Sequence, residues 1–214
     1  WPELDWTRLA RTHNLQKPQF DRYVPPADFA TFDEWRDATQ RYQAEVVKHH
    51  VEALRKLKYR PTGGFAQFCF ADGHPAVTWS VLGHDRAPKA GHTALVEACR
   101  PAIVVCDRPP AELLPGSRLA LDVHVVSDLH HDLPAARVGA TVRWTGGERT
   151  WAWQGDVAAD QCTRIGTIDL EVPAAPGAVT IDLELVGPGV AGGEPGESVE
   201  RVANHYATVI VPAS

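Results

Sequence analysis

The chain has 214 residues, 44% of them hydrophobic and 22% charged, with a formal net charge of -6 and a pI near 5.9. That length suits one large or two small domains. The acidic balance, with neither a basic stripe nor a basic tail, argues against nucleic-acid and anionic-membrane partners, and no apolar run approaches the ~20 residues of a membrane span.

The opening WPELDW has neither the basic n-region nor the apolar h-region of a signal peptide, which favours a cytoplasmic setting. The chain contains no Met, a pattern that suggests an excised segment of a longer gene product. Its four cysteines, Cys69, Cys99, Cys106 and Cys162, form no CxxC pair and no metal-ligand spacing. They read as free structural thiols, with Cys69 a small buried hydrophobe inside an apolar run.

Residues 1–16 predict a short helix, with Asp5 as N-cap and Trp6, Leu9 and Ala10 at helical spacing. Residues 17–30 read as an extended linker, broken by Pro25-Pro26. A long helix begins near Phe32. Thr31 and Glu34 fit the T-x-x-E capping box, and Trp35, Ala38, Tyr42, Val46, Ala53, Leu54 and Leu57 make one apolar stripe. Lys56 and Lys58 suit its C-terminal dipole, and Arg60-Pro61 ends it. His49 and His50 are adjacent, so their side chains point about 100° apart. They read as a solvated or capping pair.

Residues 65–70 (FAQFCF) form a short apolar run between Gly63-Gly64 and Asp72-Gly73. A loop with His74, Pro75, Trp79 and Ser80 follows, then a helix over 88–98 closed by Arg100-Pro101. Helix, buried strand, loop, helix is the grammar of a parallel α/β unit. One such unit is not a domain, because a parallel strand needs neighbours on both sides and helices over its faces.

From Ala102 the grammar changes to period-2 alternation. Runs at 102–106, 118–126, 137–144, 149–157, 164–172, 179–186 and 203–211 predict strands. Leu119, Leu121, Val123 and Val125 share one face, opposite Arg118, Asp122 and His124. Val179, Ile181, Leu183 and Leu185 alternate with Asp182 and Glu184. Pro-Gly at 115–116, Gly-Gly at 146–147 and Pro-Gly at 176–177 mark turns, and 187–197 is a Gly/Pro-rich loop. Such half-buried strands predict an immunoglobulin-like β-sandwich. Trp144, Trp151 and Trp153 read as core. If exposed, Trp151 and Trp153 would form a carbohydrate platform. His130-His131 reads as a solvated turn.

The residues Gly64, Asp72, Pro75, Trp79-Ser80 and Pro88-Lys89-Ala90 resemble the last barrel strand of family 2 glycoside hydrolases, in the β-mannosidase-like branch. That pattern runs roughly G-T-L-Y-W-Q-L-N-D-x-W-P-x-x-S-W-S-x-x-D, then W/P-K-A. The resemblance covers the first hundred residues; the sandwich matches by position and grammar. Departures are Phe68 and His74 where the family has Trp, and Ala71 where it has Asn. The family's two catalytic glutamates lie on earlier strands, and no such context occurs here.

The resemblance implies a mixed α/β plus all-β chain. Residues 1–100 would be the C-terminal part of a TIM-barrel catalytic domain, ending in its last βα unit. Residues 101–214 would be an immunoglobulin-like β-sandwich. The function implied is the C-terminal part of a retaining exo-β-glycosidase, with no catalytic carboxylate of its own. The alternative is a non-catalytic immunoglobulin-like binding or structural module. The implied partners are a β-linked oligosaccharide or glycoside and the remaining barrel and N-terminal domains of the same enzyme, with self-association through the uncovered barrel face.

Aromatic faces stack on the C–H faces of sugars and carboxylates accept hydroxyl hydrogen bonds, so the candidate substrate-binding residues are Trp79, Asp72 and Phe68, with His74 weaker. The competing structural roles are barrel-core packing for Phe68, packing against the following helix for Trp79 and a turn or capping role for Asp72. No Gly-rich phosphate loop, Ser-His-Asp arrangement or H-E-x-x-H motif is present, so no cofactor and no metal is implied.

Overall fold

The computed structural model describes residues 1–192 and 199–212; the end of the expected 187–197 loop lies outside the described residues. The chain divides into two compact units, Trp1–Leu54 with Gly64–Cys99, and Arg55–Gly63 with Arg100–Ser214.

The first unit is helical. α1 spans Trp6–His13, and its Asp5 cap accepts a hydrogen bond from the Arg8 N–H at 2.9 Å. Asn14 ends it in the left-handed region (φ 57) that Asn tolerates. The stretch expected as a linker instead forms α2, Lys17–Tyr23. Pro18 sits in its first turn, where a missing N–H loses no intrahelical bond. Pro25-Pro26 falls beyond the helix, in a short 3-10 turn at Pro26–Asp28. Leu15 and Val24, which flank α2, are buried with Trp35. The rings of Trp1, Trp6, Phe20 and Phe32 surround the Trp35 ring at 5.0 to 6.0 Å.

α3 spans Phe32–Lys56. Its capping box forms: the Glu34 N–H donates to Thr31 Oγ1 at 3.2 Å, and the Thr31 N–H donates to Glu34 Oε2 at 3.1 Å. The buried stripe differs from the expected one. Trp35 and Val51 are buried, while Tyr42, Leu54 and Leu57 are exposed. Tyr42 stacks on Tyr23 at 5.4 Å instead. α4, Ala90–Ala98, packs Leu95 and Ala98 with Val51, Val47 and Val81.

Residues 65–70 form no strand. Phe65, Phe68 and Phe70 are exposed, so the expected buried strand is corrected to an exposed apolar segment. Cys69 is exposed too, with a positive φ of 60, and is not the buried hydrophobe expected. A strand is stable only when its backbone groups pair with a neighbour. Here pairing begins only at Phe70, whose carbonyl accepts from Val81 N and Leu82 N at 3.1 and 3.0 Å.

The second unit holds two β-sheets. The strands are β1 (Ala102–Cys106), β2 (Glu112–Leu113), β3 (Arg118–Ser127), β4 (Leu133–Trp144), β5 (Gly147–Val157), β6 (Cys162–Glu171), β7 (Gly177–Pro188) and β8 (Val199–Ile210). One sheet has the order β1-β3-β6, the other β2-β8-β7-β4-β5. All seven expected runs are strands; β2, a two-residue strand parallel to β8, was not foreseen. The inward faces meet in one core that includes Leu121, Val123, Ile168, Val142, Ile181 and Leu183. Alternation along β3 and β7 is therefore the signature of two layers sharing one core.

The two sides of the sandwich close differently. Beside β1, Asn204 Nδ2 donates to the Val104 carbonyl at 2.9 Å and to the Tyr206 hydroxyl at 3.0 Å. Beside β6, the Trp153 indole lies against Gly166, so close that a Cβ there would sit 2.2 Å from the indole nitrogen. Trp144, Trp151 and Trp153 are half-buried and pack on the core, so the exposed-platform alternative does not hold.

Residues 55–63 belong to this second unit through charge. Arg55 pairs with Asp128 at 2.8 Å, Lys56 with Asp107, and Lys58 with Asp128 and Asp160. The Tyr59 hydroxyl donates to Asp160 at 2.7 Å.

Candidate functional site

Of the three candidate residues, Asp72 and Trp79 lie in one loop of the first unit and Phe68 just before it. Its neck is a single parallel bridge between Ala71 and Leu82. The Asp72 N–H donates to the Leu82 carbonyl at 3.1 Å, and the Lys89 N–H to the Val81 carbonyl at 2.9 Å. Residues 72–80 are thus held at both ends.

Asp72 is 6% exposed. Burying a carboxylate is tolerable only if it is paired and hydrogen-bonded. Lys89 Nζ donates to Asp72 Oδ2 at 3.0 Å and to Ser80 Oγ at 2.8 Å. The Thr78 hydroxyl donates to Asp72 Oδ1. Arg86 Nη1 donates to the Asp72 carbonyl at 3.1 Å. The Ser80 N–H donates to Thr78 Oγ1 at 3.1 Å, and the Ser80 hydroxyl to the Leu82 carbonyl at 3.0 Å. Burial pushes the Asp72 carboxyl up, but hydrogen bonds from Thr78 and Lys89, with the nearby Ser80 hydroxyl and the Lys89 charge, outweigh it. The net pKa lies below the ordinary carboxylate value.

From α3, Gln43 Nε2 donates to the Trp79 carbonyl at 2.9 Å and to the Ser80 carbonyl at 3.1 Å. Gln40 Oε1 accepts from the Ala90 N–H at 3.2 Å, at the start of α4. Above this polar knot Trp79 is 57% exposed and Phe68 70% exposed. Their rings are 6.0 Å apart, tilted by 53°. Phe70 is exposed as well, 6.2 Å from the His92 ring.

The structure therefore brings Phe68 and Trp79 together on the surface and sets Asp72 beneath them. His74 is exposed and takes no part in the knot. Sequence reading missed Lys89, Gln43 and Gln40 as components. Pro88-Lys89-Ala90 was legible as a motif, but the partner of Lys89 lies 17 residues away and that of Gln43 36 away.

The arrangement can present two aromatic faces. The one carboxylate in the knot, Asp72, is buried and already accepts from Thr78 and Lys89. A retaining glycosidase needs two carboxyl groups about 5–5.5 Å apart, one of them able to give and take a proton. Among the described residues, no three His, Cys, Asp or Glu side chains are placed to hold a metal ion. His49 and His50 have their rings 5.5 Å apart, tilted by 41°. Also among the described residues, no helix is long and apolar enough to cross a membrane.

No protein-family model matches the chain, and no curated protein matches it by sequence. Solved structures do. A β-D-mannosidase from Dictyoglomus thermophilum superposes with a TM-score of 0.64 at 18% identity, over 83% of this chain and 20% of its own. An exo-chitosanase from Amycolatopsis orientalis, in complex with PNP-beta-D-glucosamine, gives a TM-score of 0.59 at 14% identity, over 88% of this chain and 20% of its own. The chain spans about one fifth of the length of both. At such identities the likeness is one of fold, and it extends over more of the chain than either unit contains.

Proposed function

We propose that this chain is the C-terminal part of a retaining exo-β-glycosidase of the family 2, β-mannosidase-like kind. Residues 1–100 supply the closing βα unit of its TIM barrel, and residues 101–214 an accessory β-sandwich. The observation that carries this reading is the fold likeness to a β-D-mannosidase over 83% of the chain. The exposed segment 65–70 supports it. Phe65, Phe68 and Phe70 lie open where a barrel strand would meet its neighbours.

The second unit is immunoglobulin-like in this reading. β1, β3 and β6 take the places of strands A, B and E, and β4, β5, β7 and β8 those of C, C′, G-adjacent F and G. β2 lies parallel beside the last strand, as a first strand that switches sheets does.

In the assembled site Phe68 and Trp79 form part of the sugar-binding wall, and the catalytic carboxylates come from residues outside these 214. The substrate is a β-linked glycoside or oligosaccharide. The test is hydrolysis of an aryl β-mannoside by the 214-residue chain and by the longest polypeptide its coding sequence specifies. The expected result is turnover by the longer polypeptide, with retention of anomeric configuration, and none by the 214 residues. Turnover by the 214-residue chain, or none by a longer polypeptide that carries a full barrel, overturns the proposal.

A further inference from the structure

The polar knot beneath the aromatic pair is costly to build for a loop that only needs to turn. Asp72, Ser80 and Val81 are buried, and a Lys ammonium is brought to them with its side chain 18% exposed. A turn of residues 72–80 is closed by the Ala71–Leu82 bridge and the backbone bonds to Leu82 alone. What the extra groups hold is the short stretch that carries Trp79. Thr78 is fixed through Oγ1 to Asp72, Ser80 through its hydroxyl to Lys89, and the intervening Trp79 carbonyl to Gln43. The peptide unit that follows Trp79 is thereby held at both its carbonyl, by Gln43 from α3, and its N–H, by Thr78 Oγ1, while Lys89 at the start of α4 holds the Ser80 side chain. The ring itself is left in solvent beside Phe68.

We infer that Lys89 and Gln43 are positioning residues for the Trp79–Phe68 face, with Asp72 as the counter-ion that fixes Lys89 rather than a direct ligand of the sugar. Asp72 is buried and its Oδ1 and Oδ2 already accept from Thr78 and Lys89, so a sugar hydroxyl has little access to it. Pre-organisation is the physical gain. An indole held in its bound orientation does not lose rotational freedom when a sugar stacks on it, whereas a mobile one does. This inference rests on the sugar-wall reading above, and its test separates the two.

The test uses the 214-residue chain labelled with 5-fluorotryptophan, which gives one fluorine resonance for each of its seven tryptophans. Trp79→Phe assigns the Trp79 line, and Trp35→Phe and Trp153→Phe assign two controls. Lys89→Met, Lys89→Arg and Gln43→Leu are compared with the parent, each alone in the 214-residue chain and, in the longest polypeptide its coding sequence specifies, on titration with methyl β-D-mannopyranoside. The expected result is a narrower, shifted Trp79 line in Lys89→Met and Gln43→Leu, with the Trp35 and Trp153 lines unmoved. Lys89→Arg restores the parent line. Binding of the mannoside at Trp79 weakens about two- to tenfold in the two loosening variants. A general loss of structure would move all three lines together, and Gln43→Leu, which leaves no buried charge, decides the matter if Lys89→Met does not fold. A Trp79 line unchanged in Gln43→Leu overturns the inference. A Trp79 line that ignores the mannoside in the longer polypeptide overturns the sugar wall, while the line widths still decide whether the ring is held.

Discussion

Replacing Lys89 with methionine removes the cation from a buried ion pair and leaves Asp72 in place. The Lys89 side chain is 18% exposed and that of Asp72 4% exposed, so solvent screens the pair little. Breaking a buried pair from one side costs about 3–5 kcal/mol, because the remaining charge is left uncompensated. Asp72 has an escape, which is to take up a proton. Its ordinary pKa is about 3.9, and each pH unit above that is worth about 1.4 kcal/mol, so the penalty is capped at about 4 kcal/mol at pH 7 and about 1.5 kcal/mol at pH 5. In the parent chain the folded Asp72 pKa is depressed, so its contribution is present above the unfolded value and is lost as pH falls through the folded one. In Lys89→Met the folded pKa is raised, and stability falls as pH rises. The gap between the two chains therefore widens from pH 5 to pH 7. Urea unfolding followed by the helical circular-dichroism signal, which comes from the first unit, measures it. Asp72→Asn in the Lys89→Met background removes the charge and recovers most of the loss at pH 7. A gap that is the same at pH 5 and pH 7, or a double variant no better than the single one, refutes the reasoning.

Three further outcomes follow from the second unit. Gly166→Ala places a methyl group 2.2 Å from the Trp153 indole nitrogen and is expected to destabilise by about 1–3 kcal/mol in denaturant unfolding, with Trp153→Leu recovering part of it. Ile181→Ala, fully buried in the shared core, is expected to cost about 2–5 kcal/mol, while Arg118→Ala, which removes an exposed pair with Asp169, stays within about 0.5 kcal/mol. Burial holds the half-buried His124 below its ordinary pKa, with Lys56 and Arg164 adding to the effect and Asp107 and Asp122 opposing it. The folded state therefore takes up a proton at His124 less readily than the unfolded one. Stability is full above the unfolded pKa of about 6.5 and falls as pH drops below it. The His124→Gln variant lacks that share of the acid loss, seen as a smaller fall in thermal midpoint between pH 7 and pH 5.

Legibility in the sequence followed the range of the interactions. The capping box of Thr31 and Glu34 is complete within four residues, and the structure makes both of its bonds. The Asp5 cap is equally local. The α3 stripe was read less well. Helical periodicity says which residues share a face but not which face meets a neighbour. Val51 is buried against Val81 and Leu95, while Tyr42 stays outside on Tyr23. α2 is hidden in the sequence because Pro25-Pro26 signals a break just beyond it, although Pro18 sits at a helix start that accepts it. At the candidate site Trp79, Phe68 and Asp72 were visible as residue types. That two of them pair in solvent while the third is buried under Lys89 depends on contacts across 11 and 17 residues.

By itself, the sequence determined where the strands run from Ala102 onward: in β3 and β7 period-2 alternation is written residue by residue and needs only one buried face, while β1 is apolar throughout and buried at every position. The pairing order of those strands, the Trp153–Gly166 contact and the knot around Asp72 came only with the tertiary structure, since each joins groups that sequence order keeps apart. The segment 65–70 shows the difference most plainly. Its apolar composition calls for burial, but burial belongs to a strand and its neighbours together, and within the described residues Phe65, Phe68 and Phe70 remain open to solvent.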